Sequence, residues 1–359
     1  MKIENRLQKL RQLMAKKEVD GIFISQPENR YYLSGFDGSS GFLLITPQKT
    51  ILATDFRYIE QAKRQASGYE IFRITNDMTK WFPELVTDLR LKRLGFEAGH
   101  ITFAMYQQLT DIINKAQSKL VLVSLDGLVE SLRAIKEPEE IELIAKAVAI
   151  TDNAFEYIEG IIHTGMSEQE LAWEIEKFLR EKGSETIPFD IIVASGSNSA
   201  LPHAKPSPRT IHSGEPVVID IGAKCGGYSS DMSRTICPGT PDKTFSKVYD
   251  TVLRAQAAAI DGIKQGITGE QADNLARVVM EQSGYGEVFG HGLGHGIGLA
   301  PHERPRLGPN SAESLTQGMV FTIEPGIYLT GWGGVRIEDV VVMEGGKAKV
   351  ISKARKLNC

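Results

Sequence analysis

Cysteine is scarce in this chain. There are three in 359 residues, at positions 225, 237 and 359, and no two form a CxxC pair. That pattern excludes a thiolate-rich structural zinc site and a disulfide framework, and it reads as reduced thiols in a cytoplasmic protein. An excess of one charge sign is also missing: the formal net charge is −4, so nothing draws the chain to nucleic acid or to an anionic membrane. Apolar runs are short, none approaching the roughly 18–20 residues of a membrane span. The opening MKIENRLQKLRQL is charged throughout, unlike a secretory signal. The first 125 residues contain neither GxGxxG nor GxxxxGK, so no nucleotide is assigned to them.

What remains is an ordinary globular composition, 42% hydrophobic and 24% charged, with length enough for two domains. Residues 1–130 alternate helix-like and strand-like segments. Leu7, Leu10, Leu13 and Met14 make an apolar stripe on a first helix, and DGIFIS (20–25) is a short buried strand. GFLLIT (41–46) and TILATD (50–55) flank a Pro47-Gln48-Lys49 turn as a hairpin, FRYIEQAKRQ continues as a helix, and three further strands follow at 69–74, 93–98 and 120–125. This is an α/β layer with its own core. SLRAIKEPEE (131–140) is the boundary to a second domain, 131–359. Pro138 there opens a long amphipathic helix, with Ile141, Ile144, Val148, Phe155, Ile158 and Ile162 on one face at helical spacing, expected to cover a sheet.

The second domain repeats itself. IHTGMSEQELA (162–172) matches IKQGITGEQAD (263–273), with Gly165 and Gly266 101 residues apart. PHAKPS sets His203 against His302, 99 apart. The β-like run ending in Asp220 matches the one ending in Glu324, 104 apart, and Asp231 falls opposite Glu338, 107 apart. Two halves related by a pseudo-twofold bring equivalent strands, and these four carboxylates, to the centre. Four acids in one place repel one another and have raised pKa values unless cations offset them. Only Arg234 and Arg336 lie close in sequence, whereas a pair of divalent cations bridged by carboxylates offsets the charge better. Three of the seven histidines, His291, His295 and His302, fall within twelve residues among glycines, and His295 supplies a nitrogen ligand. Mostly oxygen ligation with one nitrogen favours Mn²⁺, Co²⁺ or Fe²⁺, with Zn²⁺ also able to bind. His100, His163 and His212 lack such context and read as surface or packing residues.

This constellation resembles the pita-bread metallopeptidases, in their Xaa-Pro aminopeptidase and Xaa-Pro dipeptidase (prolidase) branch. YYLSGFDGSSG (31–41) and TDFRYIEQA (54–62) are similar to signatures of the creatinase-like N-terminal domain of that branch. The resemblance implies a creatinase-like α/β domain followed by a duplicated pita-bread α+β catalytic domain. It implies a dinuclear centre, Mn²⁺ before the other metals, held by Asp220, Asp231, His295, Glu324 and Glu338. His203, His291, His302 and Arg336 would surround it as substrate and transition-state groups, with Glu324 also helping to move a proton. The implied reaction is hydrolysis, by a hydroxide held between the metals, of the bond before a proline at the second position of short peptides, in a cytoplasmic homodimer. The N-terminal signatures favour an Xaa-Pro aminopeptidase. The alternative is a dipeptidase restricted to Xaa-Pro, and a metal-free binding protein is more remote.

Overall fold

The structure, a computed structural model, describes residues 3–87 and 89–357; Cys359 lies outside the described residues. The chain divides into two compact units, Met1–Arg133 and Ala134–Cys359.

In the first unit, strands β1 (Gly21–Ile24), β2 (Phe42–Ile45), β3 (Thr50–Thr54), β4 (Glu70–Arg73), β5 (Arg93–Glu97) and β6 (Val121–Leu125) form one sheet in the order β4-β3-β2-β1-β5-β6. The β2–β3 hairpin pairs Phe42 with Ala53 through Ile45 with Thr50, around the Pro47 turn read from the sequence. The outer pairs, β3–β4 and β5–β6, are parallel. β1 is buried at all four positions, as a run such as GIFI requires when both sheet faces are covered. Helices α1 (Ile3–Lys16), α2 (Pro27–Ser34), α3 (Ile59–Gln65), α4 (Met78–Thr87), α5 (Phe103–Lys115) and α6 (Leu128–Arg133) complete the unit. Phe23, Leu94 and Phe96 of the sheet pack with Trp81 and Phe82 of α4 and Ile112 of α5. The third helix starts at Ile59, later than the expected Phe56. The Asp55 carboxylate accepts from the Arg57 backbone N–H at 3.1 Å and from its guanidinium at 2.8 and 2.9 Å, which closes a turn that competes with the helix.

In the second unit the repeat is visible in the backbone. Helix α7 (Pro138–Ile161) leads in, and a glycine turn precedes each of two capped helices, α8 (Glu168–Glu181) and, in the second half, its counterpart over Gly269–Gln282. Gly165 and Gly266 have φ of 89° and 94°, a conformation that disfavours side chains. Each donates its N–H to the equivalent carbonyl, Ile211 O and Leu315 O, at 2.8 Å. Ser167 and Thr268 then form capping boxes with Glu170 and Gln271. Strands β7 (Ile192–Ser195) and β8 (Val217–Ile221), the short hairpin β9 (Lys224–Cys225) and β10 (Tyr228–Ser229), and β11 (Met232–Ile236) follow α8. Helices α9 (Lys243–Gly262) and α10 (Gly269–Gln282) precede β12 (Gly294–Gly296), β13 (Glu303–Leu307), β14 (Val320–Ile323), β15 (Gly326–Leu329), β16 (Gly333–Arg336), β17 (Asp339–Glu344) and β18 (Lys347–Val350). A three-stranded sheet runs β11-β8-β7 and a five-stranded one β13-β12-β14-β17-β18, so β7-β8-β11 repeats as β12-β14-β17; β15 and β16 pair separately. The halves meet where the Glu338 N–H donates to Ser233 O at 3.0 Å, beside β11 and β17. Phe245 and Tyr249 of α9, Met280 of α10 and Phe321, Ile323 and Ile337 form the apolar layer behind the second half. Helix α7 lies against α8 and the β9–β10 hairpin. Among the described residues, no helix is long and apolar enough to cross a membrane.

Candidate metal centre

A cavity of about 590 Å³ in the second unit is lined by Asp220, Asp231, His203, His291, His295, His302, Glu324, Arg336 and Glu338, among others. All nine residues picked out from the sequence therefore meet in one place. Asp220 stands in β8 opposite Ser233 of β11, and Asp231 immediately precedes β11. Glu324 follows β14, and Glu338 precedes β17. His295 is the middle residue of β12, where the register shifts between His295 and Gly296. A bulge of this kind re-aims a side chain. The glycines around it are spatial requirements: a Cβ at Gly294 would stand 2.1 Å from Thr322 O, and one at Gly296 2.0 Å from Arg304 O.

The imidazole of His295 faces Glu324 Oε1 at 3.3 Å and Asp231 Oδ2 at 3.6 Å through Nε2. Its Nδ1 donates to Gly296 O at 3.1 Å, which leaves Nε2 to meet whatever occupies the centre. Thr322 braces the pair, accepting from the His295 N–H at 3.1 Å and donating to Glu324 Oε1 at 3.2 Å. Donor atoms of His295, Glu324 and Glu338 lie within 4.8 Å of one another, as do those of Asp220, Asp231 and Glu338. Asp231, His295 and His302 make a third such group, and the rings of His295 and His302 are 4.0 Å apart.

Among the described residues, Arg336 is the one arginine inside the cluster. Its Nη2 donates to Asp220 Oδ2 at 2.7 Å, its Nε to Ser233 Oγ at 2.7 Å and its Nη1 to Tyr328 OH at 3.0 Å. Arg234, the other candidate, turns away to Asp339 at 2.8 Å and to the Glu338 carbonyl. Arg336, His295 and, at the edge of the cluster, His302 therefore face four carboxylates. Burial and then repulsion from Glu338 and Asp220 push the Asp231 carboxyl well above its usual range. Burial and then Glu324 do the same to Glu338. Glu324 moves the other way, to about 2: burial would raise it, but His295, His291 and Arg336 together outweigh the burial. Burial lowers the His295 pKa, but Glu324, the Gly296 carbonyl and Asp220 together more than offset it, so the net shift is upward. Two buried oxygens, Asp220 Oδ1 and Glu338 Oε1, have no hydrogen-bond partner. Unpartnered buried carboxylate oxygens are costly unless a cation meets them, and an oxygen-rich donor set with one imidazole suits a hard or borderline divalent ion.

A proton count follows from these shifts. Asp231, Glu338 and His295 all hold protons more readily in the metal-free site than ordinary side chains do, and a metal ligand must be deprotonated. Metal uptake near neutral pH should release protons, and affinity should rise with pH. Calorimetric titration in two buffers of different ionisation enthalpy measures the release; uptake without proton release would contradict a site that holds protons in place of metal.

The residues that support these side chains carry no motif in the sequence. Tyr328 OH bridges Arg336 to His291 Nε2 at 3.0 Å, and Gly326 leaves room for that phenol, since a Cβ there would stand 2.5 Å from its oxygen. Glu168, buried at the start of α8, accepts from Ser195 N at 2.7 Å and Ser207 N at 3.0 Å, which fixes the ends of the loop carrying His203. Lys136 and Glu303, whose side chains are both buried, pair at 2.9 Å beside His302. Phe189 and Arg306 also line the cavity. The partners of Glu168 and Lys136 lie 27 residues or more away in sequence, and short motifs carry no signal of that kind. His100, bonded to Ser25 Oγ at 2.8 Å in the first unit, and the exposed His163 and His212 stay outside the cavity, as expected.

The duplicated halves, with a carboxylate-rich centre at their junction, define a metallohydrolase-like architecture. The chain belongs to metallopeptidase family M24, which matches residues 142–344, and residues 6–135 match the creatinase/prolidase N-terminal domain. The solved structure of an Xaa-Pro dipeptidase from Bacillus anthracis is 41% identical and superposes with a TM-score of 0.94, covering 99% of both chains. The Xaa-Pro dipeptidase of Pyrococcus furiosus is 37% identical over 99% of both sequences. An X-Pro aminopeptidase structure from Thermotoga maritima is 35% identical, with a TM-score of 0.89 over 98% of both chains.

Proposed function

We propose that this protein is a metal-dependent Xaa-Pro dipeptidase, and that the aminopeptidase reading favoured by the N-terminal signatures gives way to it. Two divalent ions, Mn²⁺ among the candidates, would be held by Asp220, Asp231, His295, Glu324 and Glu338. When bound, such ions supply a Lewis acid and a water ionised near neutral pH. The two unpartnered oxygens and the three overlapping donor groups support that set.

The remaining roles belong to the chain itself. Glu324, ionised in this setting, accepts a proton at its carboxylate. His302 has its pKa lowered by burial and by His295, so it is a neutral imidazole with one N–H to give to a developing oxyanion. His203, its counterpart in the repeat and exposed on the cavity wall, is a second donor. His291 differs from both. Its Nδ1 donates to Gly292 O at 2.8 Å and its Nε2 accepts from Tyr328 OH, so the ring presents carbon edge and face to the cavity. That surface suits a pyrrolidine ring. Arg336 holds Asp220 in place.

The observation that carries the dipeptidase reading is Arg306. It stands directly across the strand pair from His295, and its exposed guanidinium lines the cavity. Cross-strand neighbours are about 4.5–5.5 Å apart at Cβ. In Xaa-Pro, the free carboxylate lies only about 3–4 Å along the chain from the scissile carbonyl. An arginine at this distance answers a carboxylate bidentately, whereas a longer peptide offers a neutral amide there. Arg306→Met should raise KM for Xaa-Pro about 10–100-fold, the usual worth of a charge-assisted hydrogen bond. Turnover of the corresponding Xaa-prolinamide should hardly change. Equal KM values for the two enzymes on Xaa-Pro would overturn the role of Arg306 and with it the preference for dipeptides.

A further inference from the structure

The segment 289–293 has no regular structure, and two of its residues, Gly290 and Gly292, have no side chain to fix it. It nevertheless carries His291 and leads directly into the strand of His295. Its backbone is gripped from α10. Arg277 donates from Nη1 to Phe289 O and from Nη2 to His291 O, both at 3.0 Å. The same guanidinium is paired bidentately with Asp273, one helical turn earlier, at 2.8 and 3.0 Å. It also lies 4.4 Å from the centre of the Phe289 ring. Asp273, which is buried, accepts in turn from the Leu293 N–H at 2.9 Å. Phe289 then sets its ring edgewise on His291, 5.2 Å between centres.

Every guanidinium nitrogen is used, and three separate groups of one loop are held. A largely buried ion pair adds little net stability over an apolar pair of similar size, so fold stability alone does not account for it. What it provides is direction. The planar fork fixes two carbonyls and the carboxylate fixes an N–H two residues on. We infer that Asp273 and Arg277 form a positioning group for His291, setting the ring that borders the substrate while the side of the loop next to His295 stays in its strand. The inference rests on the proposed function, in which His291 is part of the pocket wall.

The test compares Arg277→Lys and Arg277→Ala with the metal-loaded wild type, measuring metal ions per chain, Tm, kcat and KM on Xaa-Pro. The ring ¹H–¹⁵N signals of His291, in protein labelled at histidine, are recorded alongside. Both variants should keep wild-type metal content and show KM raised about 10-fold or more, with kcat changed less. The His291 ring signal should shift or split in both, because lysine keeps the charge but not the fork. Added ethylguanidinium should restore KM in Arg277→Ala and leave Arg277→Lys unaffected. Unchanged KM together with an unchanged His291 signal would overturn the inference. Metal content and Tm falling in step with activity would overturn it too, by showing a purely structural role. If the wild type cleaves no Xaa-Pro substrate, the proposed function falls, while the His291 signal still decides whether Arg277 positions the loop.

Discussion

Replacing Glu338 by alanine should strip the centre of metal and lower turnover by more than the roughly 10–100-fold that loss of a supporting residue costs. Glu338 is buried at the junction of the two halves, and donor atoms of Asp220, Asp231, His295 and Glu324 lie within 4.8 Å in one or other of the groups it completes. One of its oxygens accepts from Ser233 Oγ at 2.9 Å, and the other is buried without a partner. A carboxylate that belongs to both donor groups is suited to bridging two ions, so its removal should bring the metal content towards one ion per chain or none. Glu338→Gln sharpens the test because it keeps the volume and the Ser233 bond. Without metal, that variant should be at least as stable as the wild type, since one of four repelling acids has become neutral. The stabilisation gained on adding metal should shrink with it. Metal analysis by mass spectrometry and thermal melts with and without metal measure both. Two ions per chain in Glu338→Ala would contradict the bridging role.

The second large effect separates His295 from His302, whose rings are 4.0 Å apart. His295→Ala should weaken metal binding, and excess metal should recover part of the lost activity. His302→Ala should retain near-normal metal content and lose about 10²–10³-fold in kcat, the usual worth of an oxyanion donor, with no recovery on adding metal. The geometry makes this contrast demanding, because His302 also has a nitrogen within 4.8 Å of donor atoms on Asp231 and His295. Two features favour a donor role. His302 is exposed where His295 is largely buried, and its repeat partner His203 belongs to none of the three donor groups. Metal titration of both variants, with kcat measured at saturation, decides between them. Rescue of His302→Ala by excess metal, or equal metal loss in the two variants, would show that His302 is a ligand.

Much of this architecture was legible in the sequence because it is written twice. Gly165 and Gly266, and the β8 and β14 runs, each have a counterpart about 100 residues away, and a turn glycine or an acid at a strand end gains meaning when it recurs. The convergence of Asp220, Asp231, Glu324 and Glu338 followed from that repetition together with the mutual repulsion of acids. The groups that aim them did not follow. Arg336 was visible as a nearby cation, but only the fold shows that it takes Asp220 while Arg234 is drawn off by Asp339. Tyr328, Glu168, Lys136 and the Asp273–Arg277 pair act on side chains and backbone groups of distant loops, and no residue type or spacing announces such a bond. Arg306 was hidden for a different reason. Its place across from His295 depends on the register shift in β12, which a pattern of alternating residues cannot anticipate.

One side-by-side assay distinguishes a metal-dependent Xaa-Pro dipeptidase from the other readings. The metal-reconstituted enzyme is given Xaa-Pro, Xaa-Pro-Yaa and Xaa-Ala at matched concentrations, before and after exhaustive chelation. Values of kcat/KM should be highest on Xaa-Pro and at least about tenfold lower on Xaa-Pro-Yaa, where the charge contact with Arg306 is lost, and chelation should abolish activity that metal then restores. Cleavage of Xaa-Pro-Yaa as fast as Xaa-Pro, or full turnover in enzyme shown to be metal-free, would contradict a metal-dependent dipeptidase.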